Sequence, residues 1–419
     1  MIFPFHQEIT FFYVVKLISF AYNHNISIIF FLYVQFNDSY SNTFLFKYII
    51  EKIHKIWYFN IMKTTKNKNR NTLLSGIGRT VGRFFIWFGV TLLILLVGSY
   101  IFLYFVNKGP SPRIRDLFVA SAKESSVGGV MADIYLSQEE IDEILAKNNT
   151  SEFEEITDIA MIKTQASANE ETGSEEGSIE VPQDPTIDPD GDGIDIFDVH
   201  GDTYKGKMMV VYDPSRVKVA TLDYYDYDAP GLTLMKLVEK YDCVAGINGG
   251  KYDDEIGLGT GGMPEGVVFS EGVLRFGDPA ASYDVYGFTN DNVLVVGRMT
   301  AGYAQSIGVR DAVSFGPALI VNGKSAKYSG SGSGLNPRSA IGQRENGDVL
   351  LLVIEGRQPS SLGATMGDLI TIMEEYGAVN AANLDGGMSS SMVYNNEEVV
   401  SSCTLGSRAM PTAFVVEKR

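Results

Sequence analysis

The sequence predicts a single α+β catalytic domain with a mixed β-sheet and few helices, preceded by a transmembrane helix. Short apolar strands outnumber the clear amphipathic helices, which indicates this class. The strands are predicted at residues 207–212, 266–269, 293–296, 349–354 and 412–416. In two places a predicted helix is followed by an apolar strand and then by a glycine-rich polar turn, the order that places functional loops at strand ends.

Residues 1–61 are rich in Phe, Ile, Tyr and Asn and fit this organisation poorly. Met62, followed by Lys63 and Lys66, has the features of a natural first residue, at the beginning of a short basic tail. We therefore expect residues 1–61 to be a mis-assigned start. The alternative is an extra N-terminal segment with an apolar patch of its own, which leaves the basic loop on the cytoplasmic side.

Residues 84–106 form the predicted transmembrane helix, because they contain no charged residue. At about 1.5 Å per residue, this segment is long enough to cross a hydrocarbon core of roughly 30 Å. The preceding basic residues are Lys63, Lys66, Lys68, Arg70, Arg79 and Arg83. The positive-inside rule makes residues 62–83 a cytoplasmic tail and predicts a single-pass protein of the cell membrane with its catalytic domain outside the cytoplasm. A cleaved signal peptide is disfavoured, since no Ala-x-Ala-like site ends the apolar run.

Residues 107–150 are predicted to form a helical stalk. Ser137 and Glu140 make a capping box that begins a short helix. Residues 151–194 are rich in Asp and Glu and poor in aromatic residues, a composition typical of a disordered acidic linker. The catalytic domain then occupies residues 195–419, and we expect the linker to hold it away from the membrane.

The end of this linker resembles the start of an EF-type calcium loop, with Asp188, Asp190, Asp192 and Gly193 at the right spacing. The twelfth position of such a loop falls on Val199 instead of a bidentate glutamate. We therefore expect an acidic linker end, with a calcium ion as the alternative, and predict no other cofactor and no metal at the catalytic site.

The most informative stretch of the catalytic domain is the turn at residues 385–391, with the sequence Asp-Gly-Gly-Met-Ser-Ser-Ser. A capping box at Thr365 predicts a helix before it, and residues 378–384 are predicted to form a buried strand. The same order occurs earlier, where an apolar strand at residues 243–247 ends in Asn248, Gly249 and Gly250. We expect the two turns to line one pocket, although each Gly-Gly pair can also be explained as a tight turn that needs positive φ.

Five ordered segments of the chain resemble the phosphodiester glycosidases, which remove a sugar from a phosphodiester. The segments are residues 248–253, 261–266, 336–342, 355–357 and 383–391. The resemblance covers about residues 193–416. The sequence departs from the family pattern at Lys251 or Tyr252, where an aromatic residue is usual, at Glu355, where Asp is usual, and at Met388, where a small residue is usual.

The chemistry available to the catalytic domain is limited, because His200 is the one histidine after the membrane span. A His-rich zinc site is excluded and a Ser-His-Asp triad is disfavoured. Carboxylates, arginines, hydroxyls and backbone amides remain, and these groups suit a sugar linked to phosphate. A guanidinium can pair two phosphate oxygens, and glycine-rich turns can expose N–H groups to the same anion.

Asp385 and Glu355 are the candidate catalytic residues. Cleavage of the sugar C1–O bond needs stabilisation of the leaving phosphate and activation of water or attack on the anomeric carbon. The alternatives are that Asp385 bonds the N–H groups of its own turn and that Glu355 pairs with Arg357. The candidate substrate-binding residues are Asn248, Gly249, Gly250, Arg338, Arg357, Gly386, Gly387, Ser389, Ser390 and Arg408. For Arg408 a surface charge or ion pair is the favoured alternative.

The formal net charge of −17 argues against nucleic acid as a partner. Cys243 lies in an apolar strand and Cys403 in a polar loop, and a disulfide between them stays open. The resemblance implies a hydrolase that cleaves the glycosidic bond of a sugar-1-phosphodiester. Together with the predicted span, it leads us to expect a membrane-anchored enzyme that acts on a cell-envelope glycan or exopolysaccharide. The alternative is a non-catalytic glycan-binding module of the cell surface that keeps the pocket without turnover.

Overall fold

The computed structural model describes residues 73–125, 128–162, 188, 190–253, 259–401 and 408–419. The predictions for residues 1–61, for most of the basic tail and for Cys403 lie outside these ranges. The chain divides into two compact units, Met1–Leu103 and Tyr104–Arg419, and the second unit contains the sheets.

The described residues contain seven α-helices and seventeen β-strands. The helices are α1 Leu73–Lys108, α2 Pro112–Lys123, α3 Gly129–Asp133, α4 Gln138–Lys147, α5 Leu234–Lys240, α6 Ala301–Ser306 and α7 Met366–Glu375. The strands are β1 Ile194–His200, β2 Lys205–Val211, β3 Val217–Thr221, β4 Cys243–Asn248, β5 Val268–Ser270, β6 Val273–Phe276, β7 Ser282–Thr289, β8 Leu294–Thr300, β9 Val309–Val313, β10 Ala318–Val321, β11 Lys324–Ser325, β12 Arg338–Arg344, β13 Val349–Ile354, β14 Ala378–Leu384, β15 Ser391–Tyr394, β16 Glu397–Ser401 and β17 Thr412–Glu417.

Within the described ranges, α1 is the one helix long and apolar enough to cross a membrane. The qualifying segment is Arg83–Lys108, with a mean hydropathy of 2.3 and no residue of its apolar window buried. The span predicted at residues 84–106 lies inside it. By length and composition, α1 suits a membrane anchor or a signal sequence.

The strands form three sheets. A seven-stranded sheet has the order β1-β2-β13-β12-β14-β10-β11, and two five-stranded sheets have the orders β16-β15-β4-β17-β3 and β6-β5-β9-β7-β8. The strand pairs observed within these sheets are antiparallel. The predicted α+β class with few helices is confirmed, with the strands divided over three sheets.

All three sheets pack their inner faces into one hydrophobic core. Ile341 and Leu351 enter it from the seven-stranded sheet, Phe414 from the sheet that holds β17, and Phe288 from the sheet that holds β7. Burying a large apolar side chain contributes roughly 1.5–3 kcal/mol, so this shared core is the main reason the sheets stay together.

A helix covers the outer face of each sheet. Helix α7 packs on the seven-stranded sheet, α5 on the sheet that contains β4, and α6 on the sheet that contains β7. Strand β13 is therefore buried on both faces, which explains its unbroken apolar sequence Val-Leu-Leu-Leu-Val-Ile. The capping boxes predicted at Thr365 and Ser137 are both present, at the starts of α7 and α4.

Helices α2, α3 and α4, in the segment predicted to be a stalk, share a small core of their own, which includes Val119 and Ile141. The chain then runs against the sheets. The Thr157 hydroxyl accepts a hydrogen bond from the Val296 N–H at 2.8 Å, and Ile156 packs with the α6 core. Residues 151–162, the first part of the predicted linker, are thus packed on the domain that contains the three sheets.

Candidate active site

Three strands of the seven-stranded sheet meet at one edge that carries the two candidate catalytic carboxylates. Strand β12 begins there, while β13 and β14 end there, because Arg338 pairs with Ile354 and Ser339 pairs with Leu384. Glu355 directly follows β13, and Asp385 directly follows β14. The antiparallel register therefore brings together segments that are about thirty residues apart in the chain.

Asn248, at the end of β4, connects this edge to the neighbouring sheet. Its side-chain Nδ2 donates to the Asp385 carbonyl at 2.6 Å, while its Oδ1 accepts from the Ser339 hydroxyl at 2.6 Å and from the Ser391 N–H at 3.2 Å. Because Asn248 is fully buried, its amide positions the two glycine turns relative to each other. The predicted proximity of these turns is observed in the contact between the Asp385 N–H and the Gly249 carbonyl at 3.2 Å.

The four glycines of the turns allow close backbone packing. A Cβ atom on Gly249 would lie 2.6 Å from the Thr412 hydroxyl oxygen, so no larger residue fits without a shift. Gly387 has φ +61°, a conformation that favours glycine. The N–H groups of Gly249, Gly250, Gly386 and Gly387 donate to Thr412 O, Thr412 Oγ1, Asp385 Oδ1 and Pro337 O, respectively. In this conformation the glycine N–H groups predicted to meet phosphate bond to the protein itself.

Asp385 is partly exposed, as are Gly386 and Gly387 beside it. Its Oδ1 accepts the Gly386 N–H at 2.9 Å, so the turn-stabilising role considered for this carboxylate is present. The exposure of the turn also leaves it accessible to a ligand. The turn-stabilising bond therefore does not remove Asp385 from the surface.

Glu355 has a different partner from the one considered in the sequence. Its Oε2 lies 3.1 Å from the Lys205 Nζ and accepts the Gln358 side-chain amide at 2.7 Å. Lys205 lies on the adjacent strand β2, whose pairing with β13 ends at this edge. The carboxylate is thus held beside a cation at the rim of the site.

Arg357 is exposed and lies against the second glycine turn. Its Nη2 donates to Asn336 Oδ1 at 3.0 Å, and its Nη1 lies 3.4 Å from the Cβ position that a side chain on Gly387 would occupy. The backbone of Arg357 has φ +56°, a left-handed conformation that is uncommon for a residue with a side chain. Such strain is frequent at functional sites.

Arg338 is buried, and its guanidinium forms hydrogen bonds and an ion pair within the protein. Its Nη2 donates to Ser333 Oγ at 3.1 Å and to the Gly334 carbonyl at 2.9 Å, and it pairs with the Glu124 carboxylate from the end of α2. Glu124 Oε2 also accepts the Asn336 side-chain amide at 2.9 Å. The stalk therefore supplies the anion that meets the predicted phosphate-binding residue Arg338.

Arg408 and the serines of the second turn meet through Tyr252. The Arg408 guanidinium carbon lies 5.5 Å from the centre of the Tyr252 ring, a cation–π geometry. The Tyr252 hydroxyl is 2.9 Å from Ser389 Oγ. Ser389 and Ser390 are both buried, which places them behind the turn surface and suits them to holding its shape.

The structure thus brings Asn248, Arg357, Glu355 and Asp385 to one edge, with the Arg338 guanidinium held by the stalk. Sequence reasoning missed Glu124, Lys205 and Asn336 as their partners. Asn336 lies in the segment 336–342 that resembles the family and could have been found there. The other two carry no local signal, because each joins the site from a distant part of the chain.

The three aspartates at the end of the linker lie together, and carboxylate oxygens from Asp188, Asp190 and Asp192 are all within 4.8 Å of one another. Asp188 Oδ1 accepts the Gly193 N–H at 2.9 Å, and Asp192 Oδ2 accepts the Tyr394 hydroxyl at 2.7 Å. The cluster is compatible with the calcium alternative, and its hydrogen bonds also suit a self-contained acidic turn.

Comparison with known proteins gives one family and several relatives. Residues 241–417 match the family model described as phosphodiester glycosidase. A Bacillus subtilis protein described as SPbeta prophage-derived uncharacterized protein YomE is 30% identical over 169 residues, which cover 38% of this chain and 25% of that protein. The match thus spans a quarter of the length of this curated relative.

Solved structures with similarity include the catalytic domain of zebrafish N-acetylglucosamine-1-phosphodiester alpha-N-acetylglucosaminidase, described as auto-inhibited by its pro-peptide. It has a TM-score of 0.44 and 21% identity, and the match covers 54% of this chain and 82% of that chain. A hypothetical protein from Synechocystis has a TM-score of 0.39 and 18% identity, with 54% of this chain and 62% of that chain covered. The segment that matches the phosphodiester glycosidase family model, residues 241–417, contains both glycine turns and the strand edge described above.

Proposed function

We propose that this protein is a membrane-anchored hydrolase that cleaves the glycosidic bond of a sugar-1-phosphodiester outside the cytoplasm, in a cell-envelope glycan or exopolysaccharide. The observation that carries the proposal is the strand edge shared by β12, β13 and β14. Glu355 and Asp385 follow two strands that end at this edge, and the Arg357 guanidinium lies against the Gly387 turn, all within the family-matched residues.

Arg357 binds the phosphate in this proposal. Its guanidinium lies at the surface, against the Gly387 turn, and its planar fork can pair two phosphate oxygens. Holding the phosphate in this way stabilises the negative charge that develops as the C1–O bond breaks. Since phosphate is already a good leaving group, this interaction reduces the need for a general acid.

Asp385 acts at the anomeric carbon, either by activating a water molecule or by direct attack. The Gly386 N–H bonds to the Asp385 carboxylate, and the Asn248 side chain bonds to the Asp385 carbonyl. These contacts fix the carboxylate in place, so little reorganisation is needed during reaction. Glu355, ion-paired with Lys205, lies at the rim and orients the sugar through its hydroxyl groups.

The test is product analysis with the full chain in detergent and the methyl phosphodiester of N-acetylglucosamine 1-phosphate, carried out in ¹⁸O-labelled water. C1–O cleavage yields free sugar and methyl phosphate that carries no ¹⁸O. Label in the methyl phosphate, or release of sugar 1-phosphate with methanol, would mean P–O cleavage and would contradict the proposal. The Asp385→Asn variant serves as the control for contaminating activity.

A non-catalytic glycan-binding module is the second candidate. It is favoured by the internal hydrogen bonds of all four turn glycines and by the pairing of Arg338 with Glu124. Measurable binding of the same phosphodiester without any turnover would support this function in place of the hydrolase.

A further inference from the structure

The loop between β3 and α5 forms one wall of a cavity of about 480 Å³, a volume within the usual range of small-molecule sites. The lining includes Asp223, Tyr224 and Tyr225 from the loop, Arg275 and Phe276 from β6, and Met263. We call this the tyrosine cavity. Its loop lies before residues 241–417, whereas Met263 and β6 lie within this family-matched range.

A series of contacts links the tyrosine cavity to the glycine turns of the candidate active site. Strand β3 ends at Thr221, which pairs with Thr412, and the Thr412 hydroxyl accepts the Gly250 N–H. The wall residue Met263 accepts the Asp253 N–H through its carbonyl at 2.9 Å. Asp253 directly follows Tyr252, whose hydroxyl contacts Ser389 on the second turn. The cavity and the turns therefore share one continuous set of loops.

The aromatic side chains of the cavity suit a sugar ring. Tyr224 is 68% exposed, so its ring is accessible to a ligand. Tyr225 packs edge-on against Phe276, with ring centres 5.8 Å apart, which makes a rigid aromatic floor. A pyranose presents a face of C–H groups that packs on an aromatic ring, and hydroxyl groups at its edge that bond to polar side chains.

The charges of the cavity favour an uncharged ligand. Asp223 is paired with Lys240 at 2.9 Å, and Arg275 is paired with Glu271 at 3.3 Å. Both ionic side chains of the wall therefore have a counter-ion. The cation Arg275 does not offer the uncompensated positive charge that a phosphate group or an acidic sugar requires.

We propose that the tyrosine cavity is a glycan subsite that binds uncharged sugar residues of the polymer next to the phosphodiester, with Tyr224 stacking on a sugar ring. The assignment of these sugars to the substrate rests on the proposed function, whereas the binding of uncharged sugars by the cavity does not. The substrate is then an oligosaccharide or polysaccharide phosphodiester, bound over more than its reacting sugar.

The binding test uses calorimetry on the full chain in detergent, carrying Asp385→Asn so that nothing is turned over. The probes are the tetrasaccharides of N-acetylglucosamine and of glucose, with an oligomer of glycerol phosphate as the anionic comparison. At least one tetrasaccharide should bind more tightly than the glycerol phosphate oligomer. Tyr224→Ala should weaken that binding about tenfold, while Tyr224→Phe, which keeps the ring, should retain it.

Tyr227→Ala is the matched control, because Tyr227 is on the same loop and 63% exposed but does not line the cavity. Its binding should equal that of the parent. Failure of both tetrasaccharides to bind, or equal affinity in Tyr224→Ala and the parent, would overturn the proposal.

A kinetic comparison separates this inference from the proposed function. With active protein, Tyr224→Ala should lower the ratio of kcat/KM for a tetrasaccharyl phosphodiester over that for the methyl phosphodiester by about tenfold. An unchanged ratio would overturn the substrate assignment. If no phosphodiester is cleaved but Tyr224-dependent binding is seen, the subsite stands and the hydrolase proposal fails.

Discussion

Asp385 shows how one side chain can serve both the fold and the proposed chemistry. Its carboxylate accepts the Gly386 N–H, which fixes the orientation of the group. Its carbonyl receives the Asn248 side chain, so the backbone on which it sits is held from the neighbouring sheet. A nucleophile or base held in this way meets its substrate with little loss of entropy.

We predict that Asp385→Asn will lower kcat by about 10²–10⁴, the range of acid–base contributions. Asn keeps the volume and can still accept the Gly386 N–H, so the thermal unfolding temperature should stay close to that of the parent. Asp213→Asn is the matched control, because Asp213 likewise accepts an N–H of its own turn, from Ser215 at 3.0 Å. Full activity in a folded Asp385→Asn protein would leave this residue with the turn-stabilising role alone.

Arg357→Lys should raise KM for the methyl phosphodiester about tenfold, because an ammonium group cannot pair two phosphate oxygens in a fixed plane. Lysine keeps the charge and meets the same left-handed backbone, so the comparison isolates the geometry of the fork. Arg298→Lys, at an exposed pair with Asp284, should leave KM unchanged. An equal KM in the Arg357→Lys protein would contradict the phosphate-binding role.

Cys243 is predicted to be unreactive in the folded protein. It is 5% exposed, and burial raises the pKa of its thiol to about 11, above the usual value near 8.5. Because the folded-state pKa is the higher one, the stability linked to this thiol is present below about pH 8.5 and is lost as the pH rises toward 11. In a Cys403→Ser background, Ellman's reagent at pH 8 should react after unfolding only, and fast reaction of the native protein would contradict the prediction.

At the scale of elements, the parts that could be predicted are those with local signals. The capping boxes at Thr365 and Ser137 and the buried strand Ala378–Leu384 follow from side chains within a few residues of one another. The site depends instead on register between distant strands, such as the pairing of Ser339 with Leu384. Sequence periodicity defines which face of a strand is buried, and it does not define which strand lies beside it.

Helix α2 is the clearest case of a contact that local sequence signals do not predict. It meets the site across more than two hundred residues of sequence. Glu124, at the end of α2, pairs with Arg338, and the Ser121 hydroxyl accepts the Leu335 N–H at 2.7 Å. A Cβ on Gly334 would lie 2.1 Å from the Ser121 N, so the two backbones touch. The stalk is therefore fastened to the loop that precedes β12.

We predict that Glu124→Gln will lower the free energy of unfolding of Tyr104–Arg419 by about 1–3 kcal/mol, the usual value of a hydrogen bond to a charged group. The Arg338 side chain is 8% exposed, so loss of its counter-ion leaves a poorly solvated cation. Glu143→Gln, which removes an exposed pair with Lys147 on α4, should change stability by less than about 1 kcal/mol. Equal denaturation midpoints for the two variants would show that the Glu124 contact is energetically neutral.

At the scale of the whole molecule, one core shared by three sheets explains why chemistry can be assembled from separate segments. Strand β12, at the edge of the seven-stranded sheet, and the end of β4 converge because both strands contribute side chains to that core. Ile341 of β12 and Ile247 of β4 are among them. Helix α1 belongs largely to the other unit. The proposed membrane anchor and the proposed site can therefore be tested separately.

The last prediction concerns the orientation of the chain in the membrane, which rests on the basic residues before α1 and the absence of a comparable cluster just after it. In a Cys403→Ser background, where Cys243 is buried, a cysteine placed at the exposed Glu139 should react with a membrane-impermeant maleimide on intact protoplasts. A cysteine in place of Lys68 should react after permeabilisation only, because the positive-inside rule retains that segment in the cytoplasm. The reverse labelling pattern would place the C-terminal domain in the cytoplasm. It would then contradict the proposal that the substrate lies in the cell envelope.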